Sequence, residues 1–264
     1  DTDPYSNLND RNQTLYIGGD ESAVSFSGLI DEIRIYHRAL SATEVRYHYN
    51  RGAPVAHWKF DEGSGSVTYD SSENNNNGTL YGGMATSTVS SWVAGKYGTA
   101  LIFDGVDDYV GAGNATSLNI TETITVEAWI NSKGIVGNDT IVGKQDTFRF
   151  YIEDDTITLD IDWPSYESIF YSTALLTNTW YHIVATRDPT NNQSFLYLNG
   201  KQVKSDVAVT SANGGNTNAE IGSWLEGGFH QFNGLIDDVR IYNYARTPEQ
   251  ILQDYNAGFS TYFR

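Results

Sequence analysis

Apolar and polar residues alternate in short stretches through most of this chain of 264 residues. Alternation with a period of two is typical of a β-strand that has one buried face. Gly, Asn and Asp separate these stretches, and Asn199-Gly200 is a strong signal for a two-residue hairpin turn. Many short strands with one short terminal helix predict an all-β fold, an antiparallel sandwich of two sheets. The predicted strands are Leu15–Ile17, Val55–Phe60, Ala100–Phe103, Tyr109–Val110, Ile124–Ile130, Thr140–Val142, Phe148–Ile152, Ile157–Ile161, Ile169–Ser172, Trp180–Arg187, Ser194–Leu198, Ala219–Ile221 and Leu235–Tyr242.

One stretch occurs twice, as Gly28–Tyr36 and again as Gly234–Tyr242, with differences only at its fifth and sixth residues. Each copy has the pattern of a strand followed by a short helix. A capping box marks the start of each helix, in Ser41–Glu44 and in Thr247–Gln250. A repeat spacing of about 200 residues corresponds to a whole domain rather than to a solenoid unit.

The repeat predicts the domain organisation, because the end of a domain occurs twice and its body once. We predict that residues 1–52 are the C-terminal fragment of a preceding repeat and that residues 53–258 form one complete domain. Residues 259–264 would be an aromatic tail or the start of the next linker. Ordering the fragment requires burial, so it should pack on the following domain or on another chain. Residues 15–52 are therefore a candidate for self-association.

The net charge of the chain limits the classes of partner that it is expected to bind. There are 33 acidic residues against 16 Lys and Arg residues, which gives a formal net charge of -17. Such a surface repels phosphate backbones and anionic membranes, so we expect no nucleic-acid partner, whereas divalent cations suit it. No apolar stretch reaches the length of a membrane span, so no membrane insertion is expected. The chain has no cysteine, and its abundant Asn, Thr, Ser, Gly and Tyr favour an extracellular or cell-surface location.

Several of the predicted strands and turns carry motifs in a fixed order. They are Trp58–Gly65, Asp70–Ser72, Gly95–Gly105, Asp107–Val110, Ile124–Ile130, Thr179–Val184, Leu196–Gly200 and Gly234–Tyr242. In this order they resemble the LamG-like jelly roll, a branch of the concanavalin A-like lectin/glucanase sandwiches. The resemblance covers about residues 55–258, and residues 15–52 again as a C-terminal piece. It implies a curved two-sheet jelly roll of secreted or surface proteins, used for binding or adhesion and often carrying calcium.

Asp237 is the leading candidate for a metal ligand. The alternation places it on the same face as Val239 and Ile241, where a carboxylate is costly unless it is paired or binds a cation. In related sandwiches a calcium ion joins the terminal strands through backbone oxygens and one aspartate. The resemblance transfers that Ca²⁺ site to Asp237, Asp61 and Gly105. The alternative is that Asp237 accepts hydrogen bonds from nearby backbone amides without a metal.

Other aspartates cluster in two loops. Asp104, Asp107, Asp108 and the loop Asp70–Asn77 could supply a second ion. Aspartates in turns usually accept hydrogen bonds from their own backbone, and the sequence favours that interpretation.

The aromatic residues divide into two groups. Three tryptophans occur in alternating strands and are expected in the core: Trp58, Trp129 and Trp180. Trp163, Tyr166 and Trp224 lie in polar loops, beside carboxylates and amides. Exposed rings in such surroundings suit a sugar, whose C–H face stacks on the ring while its hydroxyls form hydrogen bonds. The same rings could instead pack over the rim of the sandwich.

Catalytic motifs are not evident. Glucanases of this architecture carry alternating acids on one strand, so that a nucleophile and a general acid face the same groove. The nearest stretches here are Glu153–Asp155, which is typical of a turn, and Asp160–Asp162, which has no glutamate partner. The five histidines show no metal-binding spacing, and no P-loop or G-x-S-x-G elbow occurs. We therefore expect no enzyme activity.

Together these features predict a non-catalytic extracellular binding or adhesion module of a tandem-repeat surface protein. Its partner would be a glycan or a neighbouring surface protein, and calcium would stabilise it. One alternative is a structural subunit of a head-to-tail extracellular assembly or filament. Another is an accessory carbohydrate-binding domain of a polysaccharide-degrading enzyme.

Overall fold

A computed structural model of the chain describes residues 16–19, 25–31, 33–49, 52–86, 91–134, 137–161, 167–208, 212, 214–225 and 228–257. The chain divides into two compact units, Asp1–Leu40 and Ser41–Arg264. Within the described ranges, every assigned helix and every named strand belongs to the larger unit. None of the described helices is long and apolar enough to cross a membrane.

The larger unit is built almost entirely from short strands. In chain order they are β1 (Ala56–Trp58), β2 (Val67–Thr68), β3 (Gly78–Tyr81), β4 (Trp92–Ala94), β5 (Thr99–Asp104), β6 (Tyr109–Gly113), β7 (Ile124–Ser132), β8 (Asn138–Lys144), β9 (Phe148–Glu153), β10 (Thr156–Ile161), β11 (Glu167–Ser172), β12 (Tyr181–Asp188), β13 (Gln193–Leu198), β14 (Lys201–Asp206), β15 (Ala219–Ile221) and β16 (Asn233–Tyr242). The helices are α1 (Ala42–Tyr49), α2 (Gly83–Thr86) and α3 (Pro248–Ala257), with short 3-10 turns at Thr116–Leu118 and Pro189–Asn191.

The strands form two antiparallel sheets of eight strands each. The first sheet has the order β14-β13-β12-β7-β16-β5-β4, and β1 also pairs with β16. The second has the order β11-β10-β9-β8-β15-β6-β3-β2. One face of each sheet contributes to a shared apolar core, in which Phe103, Phe150 and Phe232 are fully buried. The predicted all-β jelly-roll sandwich with a short C-terminal helix is confirmed.

Most predicted strands of the larger unit are confirmed to within a few residues. At Asn199-Gly200 both residues adopt left-handed backbone angles, as the predicted hairpin turn requires. The sequence pattern did not reveal β2, β3, β4 and β14. These strands are either very short or, like Lys201–Asp206, polar on an edge of the sheet, where alternation between a buried and an exposed face is weak.

The repeated stretch behaves as predicted in one copy only. Gly234–Tyr242 forms most of β16, which lies between β5 and β7. In the smaller unit, residues 28–31 and 33–36 form no strand, and neither do Tyr16 and Ile17. Ile35 is 72% exposed there, whereas its counterpart Ile241 is fully buried. The strand prediction for the first copy is therefore wrong, because a strand needs hydrogen-bonded neighbours and a sheet to pack on.

Both copies nevertheless share the helix start that the sequence predicts. Ser41 donates its backbone N–H to Glu44 Oε2 at 2.9 Å, and Thr247 donates to Gln250 Oε1 at 3.0 Å. This local device survives without a sheet because a capping box uses only residues within one turn. The boundaries proposed above for residues 1–52, 53–258 and 259–264 stay a prediction, and residues 258–264 lie outside the described part of the chain.

A bulge in β16 overturns one inference from the alternation. Trp129 of β7 pairs with Asp237, but Glu127, two residues away, pairs with Arg240. Asp238 belongs to the extra stretch of β16 at the bulge, and its φ of 51° is in the left-handed region. Asp237 therefore faces outward, while Val239 lies in the core. The prediction that Asp237 and Val239 share a face is wrong, because the bulge adds one residue to the strand.

A charged cluster on the outer face of the first sheet fastens α3 to β16. Arg240 contacts Glu127 Oε1 at 3.1 Å, Asp238 Oδ2 at 2.6 Å and Asp254 Oδ1 of α3 at 3.4 Å. His182 Nε2 lies 3.0 Å from the same Glu127 oxygen. Burial raises the pKa of Glu127, but the hydrogen bond with His182 and the charge of Arg240 outweigh it and lower the pKa to about 2. Glu127 is therefore ionised in the folded protein.

We expect Glu127→Gln to lower the free energy of unfolding at pH 7 by about 3 kcal/mol, because it leaves buried cationic groups without their carboxylate. The folded pKa of about 2 lies below the ordinary value of 4.5. The contribution of Glu127 is thus fully present above about pH 4.5 and is lost as the pH falls from there towards 2. Urea unfolding of wild type and variant at pH 7 and pH 3 measures this, and the difference should shrink at pH 3.

Glu73→Gln, at an exposed glutamate, is the matched control and should leave stability nearly unchanged at both pH values. Equal stabilities of wild type and Glu127→Gln at pH 7 would contradict the role given to the cluster.

Candidate functional site

One row of residues crosses all eight strands of the second sheet. Each strand contributes one residue, and each of these residues pairs with the next one in the row. From β2 to β11 they are Val67, Thr79, Gly111, Glu220, Gly143, Arg149, Asp160 and Ser168. Paired residues of neighbouring antiparallel strands point to the same face of a sheet. Ala219 and Ile221, on either side of Glu220, belong to the core. The row therefore lies on the outer face of the second sheet.

Glu220 stands between two glycines in this row. A Cβ atom at Gly111 would lie 2.9 Å from Cε2 of Tyr81, and one at Gly143 would lie 2.5 Å from Cζ3 of Trp224. Any side chain at either position would thus displace an aromatic ring. Because neighbouring strands are about 4.8 Å apart, the two glycines are separated by about 10 Å. An aromatic ring consequently lies on each side of the carboxylate.

The rings are held by different means. Tyr81 and Tyr109 stack on each other, with centroids 4.7 Å apart and planes at 11°. Trp224 and Phe229 exchange two backbone hydrogen bonds of 2.9 Å and 3.1 Å, which hold the backbone at Trp224 in place. The Arg149 guanidinium lies 5.5 Å from the centroid of the Trp224 ring. These contacts restrain the rings before any ligand binds.

Two cavities open beside these rings, and together we call them the groove. One, of about 440 Å³, is lined by Asn77, Thr79, Tyr81, Tyr109, Gly111, Gly113, Asn218 and Glu220. The other, of about 260 Å³, is lined by Gly143, Gln145, Thr217, Asn218, Glu220, Trp224 and Leu225. Asn218 and Glu220 line both cavities. Aromatic surfaces flanking a few convergent amides and one carboxylate are suited to a polar ligand with apolar faces.

A further cavity, of about 540 Å³, lies elsewhere on the larger unit. Its lining includes Arg46 and Tyr49 of α1, Asn74, Thr121 and Glu122. An ion pair joins Arg46 to Glu122 across it. Tyr49 is its one aromatic lining residue among those described, so it offers less stacking surface than the groove does.

The predicted sugar-contacting residues fare unequally. Trp224 lies in the groove. Trp163 and Tyr166 lie outside the described residues. Tyr81, Tyr109 and Glu220 were missed by sequence reasoning. Glu220 had a signal, since Ala219-Glu220-Ile221 reads as a strand with a single polar residue on its outer face.

The tryptophans expected in the core also differ from one another. Trp58 is fully buried within the core. Trp129 is buried on the outer face of the first sheet, where it stacks on Tyr255 of α3 with centroids 5.7 Å apart. Trp180 is only half-buried. The core prediction is confirmed for Trp58 and corrected for the other two.

Asp237 lies fully buried under the loop that follows β4. Its Oδ2 atom accepts hydrogen bonds from the backbone N–H groups of Lys96 at 2.8 Å and Tyr97 at 3.0 Å. Its Oδ1 atom is buried and has no hydrogen-bond partner among the described residues. Burial raises the pKa of Asp237 to about 7, and the carboxylates of Asp238 and Asp61 contribute to the increase.

Asp61 approaches the same loop, because its Oδ1 atom accepts a hydrogen bond of 3.1 Å from the backbone N–H of Thr99. Two carboxylates that sense each other's charge, one with an unsatisfied oxygen, fit a hard cation such as Ca²⁺. Gly105 does not fit this set. It lies against Asn233, four residues before Asp237 on β16 and thus about 13 Å away, while Ca²⁺–oxygen distances are about 2.4 Å. The predicted inclusion of Gly105 is therefore wrong.

The other aspartates accept hydrogen bonds from nearby backbone N–H groups. Asp104, Asp107 and Asp108 bring one carboxylate oxygen each within 4.8 Å of the others. Each also accepts backbone hydrogen bonds, such as that from Met84 to Asp108 at 2.9 Å. Asp70 accepts hydrogen bonds from the backbone of His57 at 2.8 Å and Asn76 at 2.8 Å. The bonds from Val106 to Asp104 and from Asn76 to Asp70 fit the turn interpretation, whereas those from Gly83, Met84 and His57 join different segments.

The chain shares its fold with known binding domains. Residues 1–46 and 104–252, together more than half of the chain, match a family model described as the concanavalin A-like lectin/glucanases superfamily. Domain 4 of AbnA, a GH43 extracellular arabinanase from Geobacillus stearothermophilus solved with arabinotriose, is similar at 23% identity and a TM-score of 0.60. That likeness covers 77% of this chain and 98% of the arabinanase domain.

Botulinum neurotoxin domains are similar as well. The serotype G binding domain has 14% identity and a TM-score of 0.62, over 79% of this chain and 52% of that chain. The serotype D ligand binding domain, solved with N-acetylneuraminic acid, has 15% identity and a TM-score of 0.61, over 80% of this chain and 52% of that one. This chain thus spans about half the length of the neurotoxin domains. A search of curated proteins finds no match.

Proposed function

Because this chain belongs to the concanavalin A-like lectin/glucanase superfamily, we propose that it is a non-catalytic glycan-binding module whose ligand lies in the groove. The observation that carries the proposal is the arrangement of Tyr81, Tyr109 and Trp224 on the two sides of Glu220. Aromatic rings can stack on the C–H faces of sugar rings, while carboxylate and amide groups bind the hydroxyls. The structural neighbours solved with arabinotriose and with N-acetylneuraminic acid support a sugar ligand.

The spacing of acidic groups on this face supports binding rather than hydrolysis. Glycosidases place two carboxyl groups about 5 to 9.5 Å apart. Glu220 and Asp160 of the row are three strands apart, which corresponds to about 14 Å, and Arg149 lies between them. Asp160 also accepts hydrogen bonds from Tyr151 at 3.0 Å and Ser168 at 2.6 Å. The backbone positions of this pair are thus farther apart than the carboxyl groups of a glycosidase.

An extracellular location accompanies this proposal. One structural neighbour is a domain of an extracellular arabinanase, and the acidic, cysteine-free composition is compatible with secretion. We propose that the module works at a cell surface within a tandem-repeat protein. A neighbouring surface protein is the alternative ligand, and an accessory role beside a polysaccharide-degrading enzyme is the alternative setting.

Replacing a groove aromatic should weaken glycan binding without unfolding the protein. We expect Trp224→Ala and Tyr81→Ala each to cost on the order of 1 kcal/mol of binding free energy, roughly five- to tenfold in Kd, because stacking surface is lost. A glycan array identifies the ligand, and titration calorimetry on the wild type and variants measures the change. Thermal unfolding verifies that both variants remain folded.

Tyr49→Ala is the matched control, since Tyr49 is 86% exposed and lines the cavity at α1 instead of the groove. It should leave the affinity unchanged. Loss of binding with Tyr49→Ala but not with Trp224→Ala would move the site to that cavity. A wild-type protein that binds no glycan would refute the proposed function.

We further propose that Ca²⁺ binds between Asp237 and Asp61 and stabilises the sandwich. The unsatisfied, buried Oδ1 atom of Asp237 is the observation that supports it. An ion there would join β16 to the loops after β1 and β4, which carry Asp61 and the amides of Lys96 and Tyr97. A ligand bound only by the native state stabilises it by mass action.

Chelation should therefore lower the Tm of the wild-type protein, whereas Asp237→Asn should unfold at one temperature with or without chelator. Asp107→Asn, in the other acidic cluster, should keep the response of the wild type. Identical wild-type Tm values with added calcium and with chelator would disprove the calcium site.

Self-association through residues 15–52 is a second candidate function, favoured by the exposure of apolar side chains there. Leu29 is 98% exposed and Ile35 is 72% exposed. We expect sedimentation to detect concentration-dependent association that the double variant Ile33→Ser/Ile35→Ser abolishes. Val207→Ser, at an apolar residue of the larger unit whose exposure lies between those of Ile33 and Ile35, should not change it. A wild-type monomer at all concentrations would rule this function out.

A further inference from the structure

A lysine is buried behind the strand that carries Gly143 into the groove. Lys144 follows Gly143 at the end of β8, and its side chain is fully buried. It pairs with Ala219 on one side and with Phe148 on the other, and both of these residues belong to the core. Paired residues of neighbouring strands point to the same face of a sheet. The side chain of Lys144 therefore lies on the inner face, opposite the row.

The ammonium group of this lysine donates hydrogen bonds to two neutral oxygens. Lys144 Nζ lies 2.5 Å from Asn114 Oδ1 and also contacts the backbone oxygen of Thr217. Across the described ranges, no carboxylate forms an ion pair with Lys144. Burial lowers the pKa of Lys144 from its ordinary value. A buried cation is costly unless hydrogen bonds compensate it, so the bonds to Asn114 and Thr217 are the interactions that hold the ammonium group in place.

The segment 214–218 is fastened to the end of β8 by further contacts. Thr217 Oγ1 donates to the backbone oxygen of Gln145 at 3.0 Å. A Cβ atom at Gly215 would lie 2.4 Å from the same oxygen, so the backbone of the segment lies directly against Gln145. Thr217 lines one cavity of the groove, and Asn218 lines both. Lys144 thus binds a segment that forms part of the groove.

The hydrogen bond from Lys144 orients the peptide group that joins Thr217 to Asn218. The C=O and N–H of a trans peptide point in opposite directions. Because the Thr217 oxygen points towards the ammonium group, the N–H of Asn218 points away from it. A charged donor on the carbonyl oxygen also polarises the peptide group, which strengthens the N–H on its other side as a donor.

We propose that Lys144 is a positioning residue for the groove: its ammonium group holds the Thr217–Asn218 peptide so that Asn218 presents its backbone N–H and its side-chain amide to a bound sugar. This inference rests on the proposed glycan-binding function. Sugar hydroxyl oxygens accept hydrogen bonds from such donors. Donors that are fixed before binding lose little entropy when the ligand arrives.

Lys144→Met tests this role in the full chain, because it removes both hydrogen bonds and keeps an unbranched side chain. With a glycan identified on an array, titration calorimetry should give a Kd about fivefold higher than that of the wild type, since Asn218 is no longer held in place. Lys201→Met, at an exposed lysine of β14 in the first sheet, is the matched control and should bind like the wild type.

Backbone NMR separates positioning from a general loss of structure. On saturation of the wild type, the amide signals of Gly111, Gly143 and Asn218 should all shift. In Lys144→Met the Asn218 signal should already have moved in the free protein and should respond weakly to the glycan, while Gly111 responds as before. Asn114→Ala, which removes one acceptor of Lys144 at an exposed position, should cause the same changes to a smaller extent and decides the question if Lys144→Met does not fold.

The outcomes separate the two claims. Wild-type affinity in the folded variants, or an Asn218 signal that responds as in the wild type, would overturn the positioning role while the glycan-binding function stands. An equal loss of response at Gly111 and Asn218 would overturn it as well, because it would indicate a general disturbance of the groove. Absence of binding of every glycan to the wild type would overturn both.

Discussion

Strand β16 supplies the contact on which the larger unit depends, the meeting of Arg240 with carboxylates from three elements. Glu127 of β7, Asp238 of β16 and Asp254 of α3 surround this one guanidinium. The same strand pairs with β5, β7 and β1, so it joins the N-terminal and C-terminal ends of the larger unit. Burying so many charges is tolerable only because they neutralise one another. The cluster thereby fixes the position of α3 over the first sheet.

The first sheet, with its helix cover, leaves the outer face of the second sheet for ligand binding. Because positions 111 and 143 are glycines, two places in the middle of that face have no side chain, and aromatic rings lie against the backbone there. Glu220 is left between them, where the proposed glycan would meet its carboxyl group. The groove is thus made on strands rather than on loops alone, which would lower the entropic cost of holding the proposed sugar ligand.

The features of the fold that depend on local sequence pattern could be predicted from the sequence. Alternation located most strands of the larger unit, apart from β2, β3, β4 and β14, and the capping boxes located both repeated helix starts. The sequence-based predictions were wrong where tertiary contacts determine the local structure. The bulge at Asp238 moved Asp237 to the outer face, and the described residues of the smaller unit give the first copy of the repeat no neighbouring strand. The groove escaped notice because Tyr81 and Tyr109 are more than 100 residues from Glu220 and Trp224 in sequence, and only the order of β8, β15, β6 and β3 brings them together.

The central claim, that a glycan lies across Gly111, Glu220 and Gly143, can be tested by backbone NMR. Glycine amide signals are well separated in such spectra, so both glycines can be followed while a neutral oligosaccharide is titrated into the labelled protein. A glycan bound in the groove should produce its largest shifts at Gly111, Gly143, Asn218 and Glu220. Shifts confined to the residues around Arg46 and Glu122, with the groove amides unmoved at saturation, would contradict it.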